Sequence, residues 1–252
     1  MAKTWVLLRG LIRESRHWEG FPDAFRQHFS GDQVVTIDLP GNGAKFQERS
    51  PLHIDDMVAC LRDELSKQGL QPPFHVVALS LGAMTAISWL NDYPNEVSAA
   101  VLINTSVARF SAFWQRLRPE NYGVILQTLL TSDRLRREKN ILDISTNLIS
   151  EQKKEEVSQR WAGYAASHGV TRANSIRQVI AAARFKAPKV LSSRVPVLVL
   201  NGGGDRLVHP DCSSIIAEKW NLPIQIHPTA GHDLTMDDGP WALDKIFGWV
   251  SP

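Results

Sequence analysis

Three residues in this chain have the types and the order that acyl-transfer chemistry requires. Ser80, Asp205 and His232 each stand in a short loop that follows an apolar run. A serine hydroxyl is a poor nucleophile until a base removes its proton, and an imidazole serves as that base when a carboxylate fixes its tautomer and orientation. Ser80 lies within Val76-Val77-Ala78-Leu79-Ser80-Leu81-Gly82-Ala83, between the apolar run Phe74 to Leu79 and a helical pattern from Ala83 to Leu90. Its second neighbours, Ala78 and Gly82, keep bulk away from a tight strand–serine–helix corner, where a strained backbone holds the hydroxyl clear of the main chain. Taken alone, the pentapeptide describes a serine capping a small-residue helix equally well. His232, in Thr229-Ala-Gly-His232, is the candidate base. Asp205, at the end of Asn201-Gly-Gly-Gly-Asp205, is the candidate orienting acid. Three such groups in this order at three strand ends outweigh the capping explanation.

The elements that must position them alternate. Thr4 to Leu8, Val34 to Ile37, Phe74 to Leu79, Val97 to Ile103, Val195 to Leu200 and Ile224 to His227 read as buried strands. Between them, helical spacing runs over Trp18 to Phe29, Ile54 to Leu65, Pro210 to Trp220 and Pro240 to Val250. From Thr105 to Pro188 the strand signal stops, and helices are expected near 119–131, 134–149, 150–168 and 171–186. Alternating strands and helices imply parallel crossovers, hence an α/β fold with a mostly parallel, doubly wound sheet of about six strands. Residues 1–104 and 190–252 would form its core and 105–189 an inserted helical lid. Ligands of such sheets bind at the carboxyl ends of the strands. Arg9-Gly10-Leu11, Leu79-Ser80-Leu81, 201–205 and 229–232 all fall there.

The order Ser80, Asp205, His232, with Asp38-Leu39-Pro40-Gly41-Asn42-Gly43, Asp205-x-x-Val208-x-Pro210 and Ala230-Gly231-His232, resembles the α/β-hydrolase superfamily over nearly the whole chain. Within it, the sequence is similar to small lidded carboxylesterases of the kind that includes the pimeloyl-carrier-protein methyl ester esterase. The resemblance implies cleavage of a carboxylic ester or thioester through an acyl-enzyme. It also implies an oxyanion hole made by the backbone N–H groups of Leu11 and Leu81. A lyase or carbon–carbon hydrolase on the same three residues, like the superfamily's menaquinone-pathway synthase, is the alternative, and a non-catalytic binding protein of this fold a third. The chain departs from the family in having Ala78 for the first glycine of the serine motif and Arg9-Gly10 for the usual His-Gly. The family's first two strands are also missing, because Thr4 to Leu8 already takes the central position. An alternative acid sometimes follows the fourth strand in this family; here that position is Asn104, which has no carboxylate.

Arg9, His17, Trp18 and Trp114 are candidate pocket residues, although the insertion's aromatics Phe110, Phe113, Trp114, Tyr122, Trp161 and Tyr164 suit a packing core equally well. Asp38 is expected to support its own loop, and Asp233, Asp237 and Asp238 to cap the last helix. Structural roles are expected for His209 and His227, and a core position for Cys60. No His-Glu-x-x-His, EF-hand or P-loop pattern appears, so no metal or cofactor is implied.

A hydrophobic fraction of 43% and a charged fraction of 21% suit an ordinary globular protein rather than a nucleic-acid-binding or membrane protein. No apolar run approaches the length of a bilayer span, and Met1-Ala2-Lys3-Thr4 leads directly into a strand. Cys60 and Cys212 form no CxxC, so a reducing cytoplasm is expected. The net charge of +2 is unevenly distributed. Arg109 to Lys189 carries 15 Lys and Arg against 7 Asp and Glu, while the remainder carries 13 against 19. A basic insertion over an acidic core would suit an anionic small-molecule ester or thioester, or be no more than a solvated face.

Overall fold

Runs of Val, Ile and Leu that are long enough for a strand and too short for a helix become the sheet of the computed structural model, which describes residues 2–191 and 195–250. Residues 1, 192–194 and 251–252, parts of the expected core segments, lie outside the described residues. The strands are β1 (Thr4–Leu8), β2 (Gln33–Ile37), β3 (Phe74–Leu79), β4 (Val97–Ile103), β5 (Val197–Gly202) and β6 (Ile224–His227). They form one parallel sheet in the order β2-β1-β3-β4-β5-β6. Leu8 pairs with Ile37 and Ala78, Ala78 with Leu102, and Leu102 with Val199, so the carboxyl ends of the central strands lie level. The expected doubly wound parallel sheet of six strands is therefore present.

Period-two alternation along each central strand sends side chains to two separate cores. Val6, Leu8, Val76, Ala78, Ala100 and Leu102 join one cluster, with Met57, Leu61, Ile87, Trp89 and Ile216. These come from α2 (Ile54–Lys67), α3 (Leu81–Asp92) and α9 (Asp211–Trp220). Trp5, Leu7, Val77, Leu79, Val101 and Ile103 join the other, with Phe21 and Phe25 of α1 (Phe21–His28) and Leu243 and Ile246 of α11 (Gly239–Val250). Phe25 is fully buried, its ring 5.0 Å from that of Trp5 and 4.5 Å from that of Phe29; truncating such a residue costs about 3–5 kcal/mol.

Some expected elements differ in their bounds. The helical pattern from Trp18 to Phe29 is broken into a 3-10 turn, Ser15–Trp18, and α1. Glu19 sits between them at φ 51°, and Pro22 occupies the first turn of α1, where a missing N–H leaves no helical bond unmade. β5 starts at Val197, after Pro196, and runs on to Gly202.

Between β4 and β5 the chain forms α4 (Phe113–Arg116), α5 (Tyr122–Leu130), α6 (Arg134–Ser145), α7 (Glu151–His168) and α8 (Arg172–Arg184). Asp133, Ser150 and Thr171 cap α6, α7 and α8 by accepting from the N–H groups of Arg136, Lys153 and Asn174. Leu142, Val157 and Trp161 form a small core of the insertion, with Tyr164 and Met236 against it. Trp161 is thus a packing residue, whereas Phe113, Trp114 and Tyr122 are exposed. A short helix, α10 (Leu234–Asp237), precedes α11. Among the described residues no helix is long and apolar enough to cross a membrane.

Candidate active site

Ser80 occupies the corner between β3 and α3 at φ 56°, ψ −113°. A non-glycine residue in such a region costs about 1–3 kcal/mol and persists only where its surroundings over-determine it. Here the Ser80 N–H donates to the Ile103 carbonyl at 2.9 Å, and Thr105 Oγ1 donates to the Ser80 carbonyl at 3.0 Å. The small neighbour at 82 is a packing requirement. A Cβ there would lie 2.5 Å from the Leu8 carbonyl oxygen and 2.7 Å from that of Arg9. Helix α3 therefore starts pressed against the end of β1, which brings Arg9-Gly10-Leu11 to the serine. A Cβ on Gly10 would stand 3.1 Å from Ser80 Cβ.

His232 and Asp205 meet on the loops after β6 and β5. His232 Nδ1 and Asp205 Oδ2 are 2.7 Å apart, and both side chains are buried. A carboxylate only accepts, so Nδ1 carries the hydrogen and Nε2 is left to take a proton. The other Asp205 oxygen accepts from the N–H groups of Leu207 and Val208 at 2.8 and 2.9 Å, which fixes the carboxylate plane. Burial disfavours the charged His232 ring, but the charge and hydrogen bond of Asp205 outweigh it, and the pKa is raised above the ordinary histidine value.

Asn104, which the sequence marked only as an acid that is missing, joins the two loops. At φ 46°, its Oδ1 accepts from the Gly202 N–H at 2.7 Å, and its Nδ2 donates to the carbonyls of Gly231 and His232 at 3.0 and 2.7 Å. A buried asparagine at a strand end gives no periodic signal from which this could be read.

The three aspartates expected to cap the last helix divide their roles. Asp238 does cap α11, accepting from the Trp241 N–H at 3.0 Å. Asp237 instead accepts from the N–H groups of Gly231, Asn147 and Leu148, tying the histidine loop to the insertion. Asp233 caps nothing. It forms a buried bidentate pair with Arg9, Nη1 to Oδ1 at 3.1 Å and Nη2 to Oδ2 at 2.6 Å. Burial alone would raise the Asp233 pKa, and Arg9 brings it below the usual carboxylate range. Asp38 supports its loop as expected, accepting from Ser15 and Ala44. His227 accepts from the Ala230 N–H, and His209 is half-buried beside Asp211. Cys60 is half-buried on α2, and Cys212 is buried on α9.

The candidate pocket residues separate. The Arg9 guanidinium lies 4.8 Å over the Trp18 ring, and Trp18 stacks on Phe21. His17 is wedged edge-on between Trp161 and Tyr164 of α7, and its Nδ1 accepts from the Glu14 N–H at 3.1 Å. Burial first, and then the charges of Arg13 and Arg9, hold the His17 pKa well below the ordinary value. These three residues are packed where the first loop meets the insertion, and Arg9 is neutralised there rather than presented as a free cation. Trp114 is 64% exposed on α4, and no ring contact among the described residues joins it to them.

Of the two expected oxyanion donors, Leu81 opens α3, where the first N–H groups of a helix have no intrahelical partner. Leu11 stands between Gly10 and Ile12, and Ile12 takes φ 59° with its N–H bonded to Gln178 on α8.

The parallel sheet, the strained serine corner and the histidine–aspartate contact agree with the family match. Residues 5–242 match the Alpha/beta hydrolase family, and the chain belongs to it. Its fold is close to that of an esterase from Exiguobacterium antarcticum (TM-score 0.79, 15% identity, 100% of this chain and 92% of that one). Carboxylesterase CesB from Bacillus subtilis is also similar (TM-score 0.75, 19% identity, 99% and 84% covered). So is a putative non-heme bromoperoxidase, BpoC, from Mycobacterium tuberculosis (TM-score 0.75, 18% identity, 98% and 91% covered). At these identities the likeness is one of fold. No curated protein matches the sequence.

Proposed function

We propose that the chain is a serine esterase acting on a carboxylic ester or thioester. Ser80 Oγ attacks the carbonyl carbon while His232 Nε2 takes its proton, and that proton goes to the departing alcohol or thiol. Water, deprotonated by the same imidazole, then splits the acyl-enzyme and returns the proton to Ser80, with Asp205 holding the ring throughout. The N–H groups of Leu11 and Leu81 would hold the oxyanion, each worth about 3 kcal/mol in the transition state. The observation that carries this reading is the buried 2.7 Å contact between His232 and Asp205 at the carboxyl ends of the sheet whose β3 leads into the strained Ser80.

A lyase or carbon–carbon hydrolase acting on a multi-carboxylate substrate would call on a free cation beside the serine, and Arg9, which precedes the Gly10 packed against Ser80, is already paired with Asp233. A binding module gains nothing from a strained serine and a buried acid–base pair. The ester reading is preferred for these reasons. Its finer form treats residues 105–189 as a lid and the substrate as an acyl ester on an anionic carrier, of the pimeloyl methyl ester kind. Arg134 and Arg136, exposed at the start of α6, would attract it. The free thiols of Cys60 and Cys212 suit a reducing cytoplasm.

A fluorophosphonate probe should label the wild-type protein and not Ser80→Ala. Turnover of p-nitrophenyl butyrate should fall by about 10³-fold or more in Ser80→Ala and in His232→Ala, with the double variant hardly worse than either. Near wild-type turnover in a clean Ser80→Ala preparation would overturn the mechanism.

A further inference from the structure

We propose that Gln178, on the helical insertion, is a positioning residue that holds the Gly10–Arg13 turn in the shape an oxyanion hole requires; this rests on the esterase reading above. Gln178 is fully buried on α8. Its Oε1 accepts from the Ile12 N–H at 2.8 Å, and its Nε2 donates to Asn42 Oδ1 at 2.8 Å and to Ser50 Oγ at 3.1 Å. The orientation of the amide is forced by its partners. A backbone N–H only donates, so the atom facing Ile12 is the oxygen. Asn42 Nδ2 donates to the Arg13 carbonyl at 2.9 Å, which leaves its oxygen for Gln178. Ser50 Oγ donates to the Pro40 carbonyl at 2.7 Å, which leaves a lone pair for Gln178. One side chain of the insertion therefore grips the second half of the turn at two points, the Ile12 N–H directly and the Arg13 carbonyl through Asn42.

The turn needs that grip. Ile12 stands at φ 59°, the left-handed region, where a β-branched side chain crowds the backbone. Released, Ile12 relaxes toward negative φ and turns the Leu11–Ile12 peptide plane. Leu11 then loses its fixed φ and ψ, and with them the aim of its N–H, which belongs to the Gly10–Leu11 peptide. Gly10, on the other side of Leu11, packs against Ser80. The direction of the Leu11 N–H relative to the serine is thus set by a residue that touches neither. A misplacement of about 1 Å in such a constellation costs about 10²-fold in rate.

The test compares Gln178→Met, which keeps the volume and removes all three bonds, with Ser50→Ala, which leaves the Ile12 bond intact. For p-nitrophenyl acetate, Gln178→Met should lose about 10²-fold in kcat with KM changed by less than about threefold, and Ser50→Ala should stay within about threefold in both. Adding Ile12→Gly to Gln178→Met should restore kcat by about tenfold or more, because glycine takes φ 59° unaided. A kcat loss no larger than that of Ser50→Ala, or no restoration by Ile12→Gly, overturns the proposal. If Gln178→Met does not fold by circular dichroism, Asn42→Ala decides: it removes the Arg13 arm alone and should lose about tenfold in kcat, and a loss no larger than that of Ser50→Ala overturns the proposal. Amide exchange separates this inference from the esterase reading. The amides of residues 10–13 should exchange about tenfold faster in Gln178→Met, or in Asn42→Ala in its stead, whatever the substrate. Unchanged exchange defeats the positioning role, whereas a wild-type protein without turnover or Ser80 labelling defeats the esterase.

Discussion

Asp205 gives one carboxylate oxygen to two backbone N–H groups and the other to His232, so the ring is oriented by a group that cannot itself rotate. Only the neutral ring can accept the Ser80 proton, and the Asp205 charge raises the pH at which the ring becomes neutral. The acid limb of the kcat/KM profile should accordingly lie above the ordinary histidine value of about 6.5. A limb below that value would remove His232 as the base. Asp205→Asn should move the limb down and lower kcat by about 10⁴-fold. His17 behaves in the opposite way. Its folded-state pKa is depressed by burial and by Arg13 and Arg9, so the unfolded chain binds the extra proton first as pH falls. Stability is therefore retained above about pH 6.5 and lost progressively below it, and His17→Gln should flatten that loss when Tm is followed from pH 7 to pH 5. The Arg9–Asp233 pair makes a third expectation. Arg9→Met leaves a buried carboxylate unpaired and should cost about 3–5 kcal/mol in urea unfolding, while the double variant Arg9→Met/Asp233→Leu should recover most of it. Equal losses in the single and double variants would mean that the pair itself is the stabilising feature.

At the scale of elements, α8 connects the insertion to the turn after β1, and its N-terminus depends on Thr171, whose hydroxyl accepts from the Asn174 N–H at 3.1 Å. Thr171→Ala should cost about 1 kcal/mol in denaturant unfolding, and no measurable loss would show that the docked helix face alone holds α8. The strands were the most legible elements. β1, β3, β4 and β6 begin and end where the sequence places them, because short apolar stretches bounded by turn residues mark their ends even where His75, Ser98 or Gln225 lies inside. Helices in the insertion were placed by spacing and turn residues, yet α6 ends at Ser145, short of 149, where the chain turns back to meet Asp237. The positions of Ser80, Asp205 and His232 at strand ends could be read because each follows an apolar run and has a glycine within two residues. Gln178, Asn104 and the Arg9–Asp233 pair could not. They act across separations of 166, 98 and 224 residues, and nothing local distinguishes them from polar side chains that face solvent.

For the whole molecule, the positive charge gathered between β4 and β5 gives a prediction about encounter rather than chemistry. Arg160 and Lys139 are paired with Glu19 and Glu155, while Arg134 and Arg136 are exposed and Arg136 borders an open groove with Leu126 and Leu130. If this face guides an anionic carrier, added salt should lower kcat/KM for an acyl-CoA and leave a neutral short-chain ester almost unchanged. Replacing Arg134 and Arg136 with Gln should flatten the difference; equal salt sensitivity of the two substrates would leave the charge a solvated surface. The Asn104 junction bears on the history open to such a protein. One amide binds an N–H of β5 and two carbonyls of the histidine loop at once. On the esterase reading proposed above, moving the acid to the position after β4 is thereby closed to this chain as a single substitution. Asn104→Asp would set a carboxylate against two carbonyl oxygens, with no N–H left to hold the loop that carries His232. Exchanging the two residues, Asn104→Asp with Asp205→Asn, should therefore leave the enzyme inactive, so that a descendant could move its acid only after rebuilding the loop on which its base is mounted.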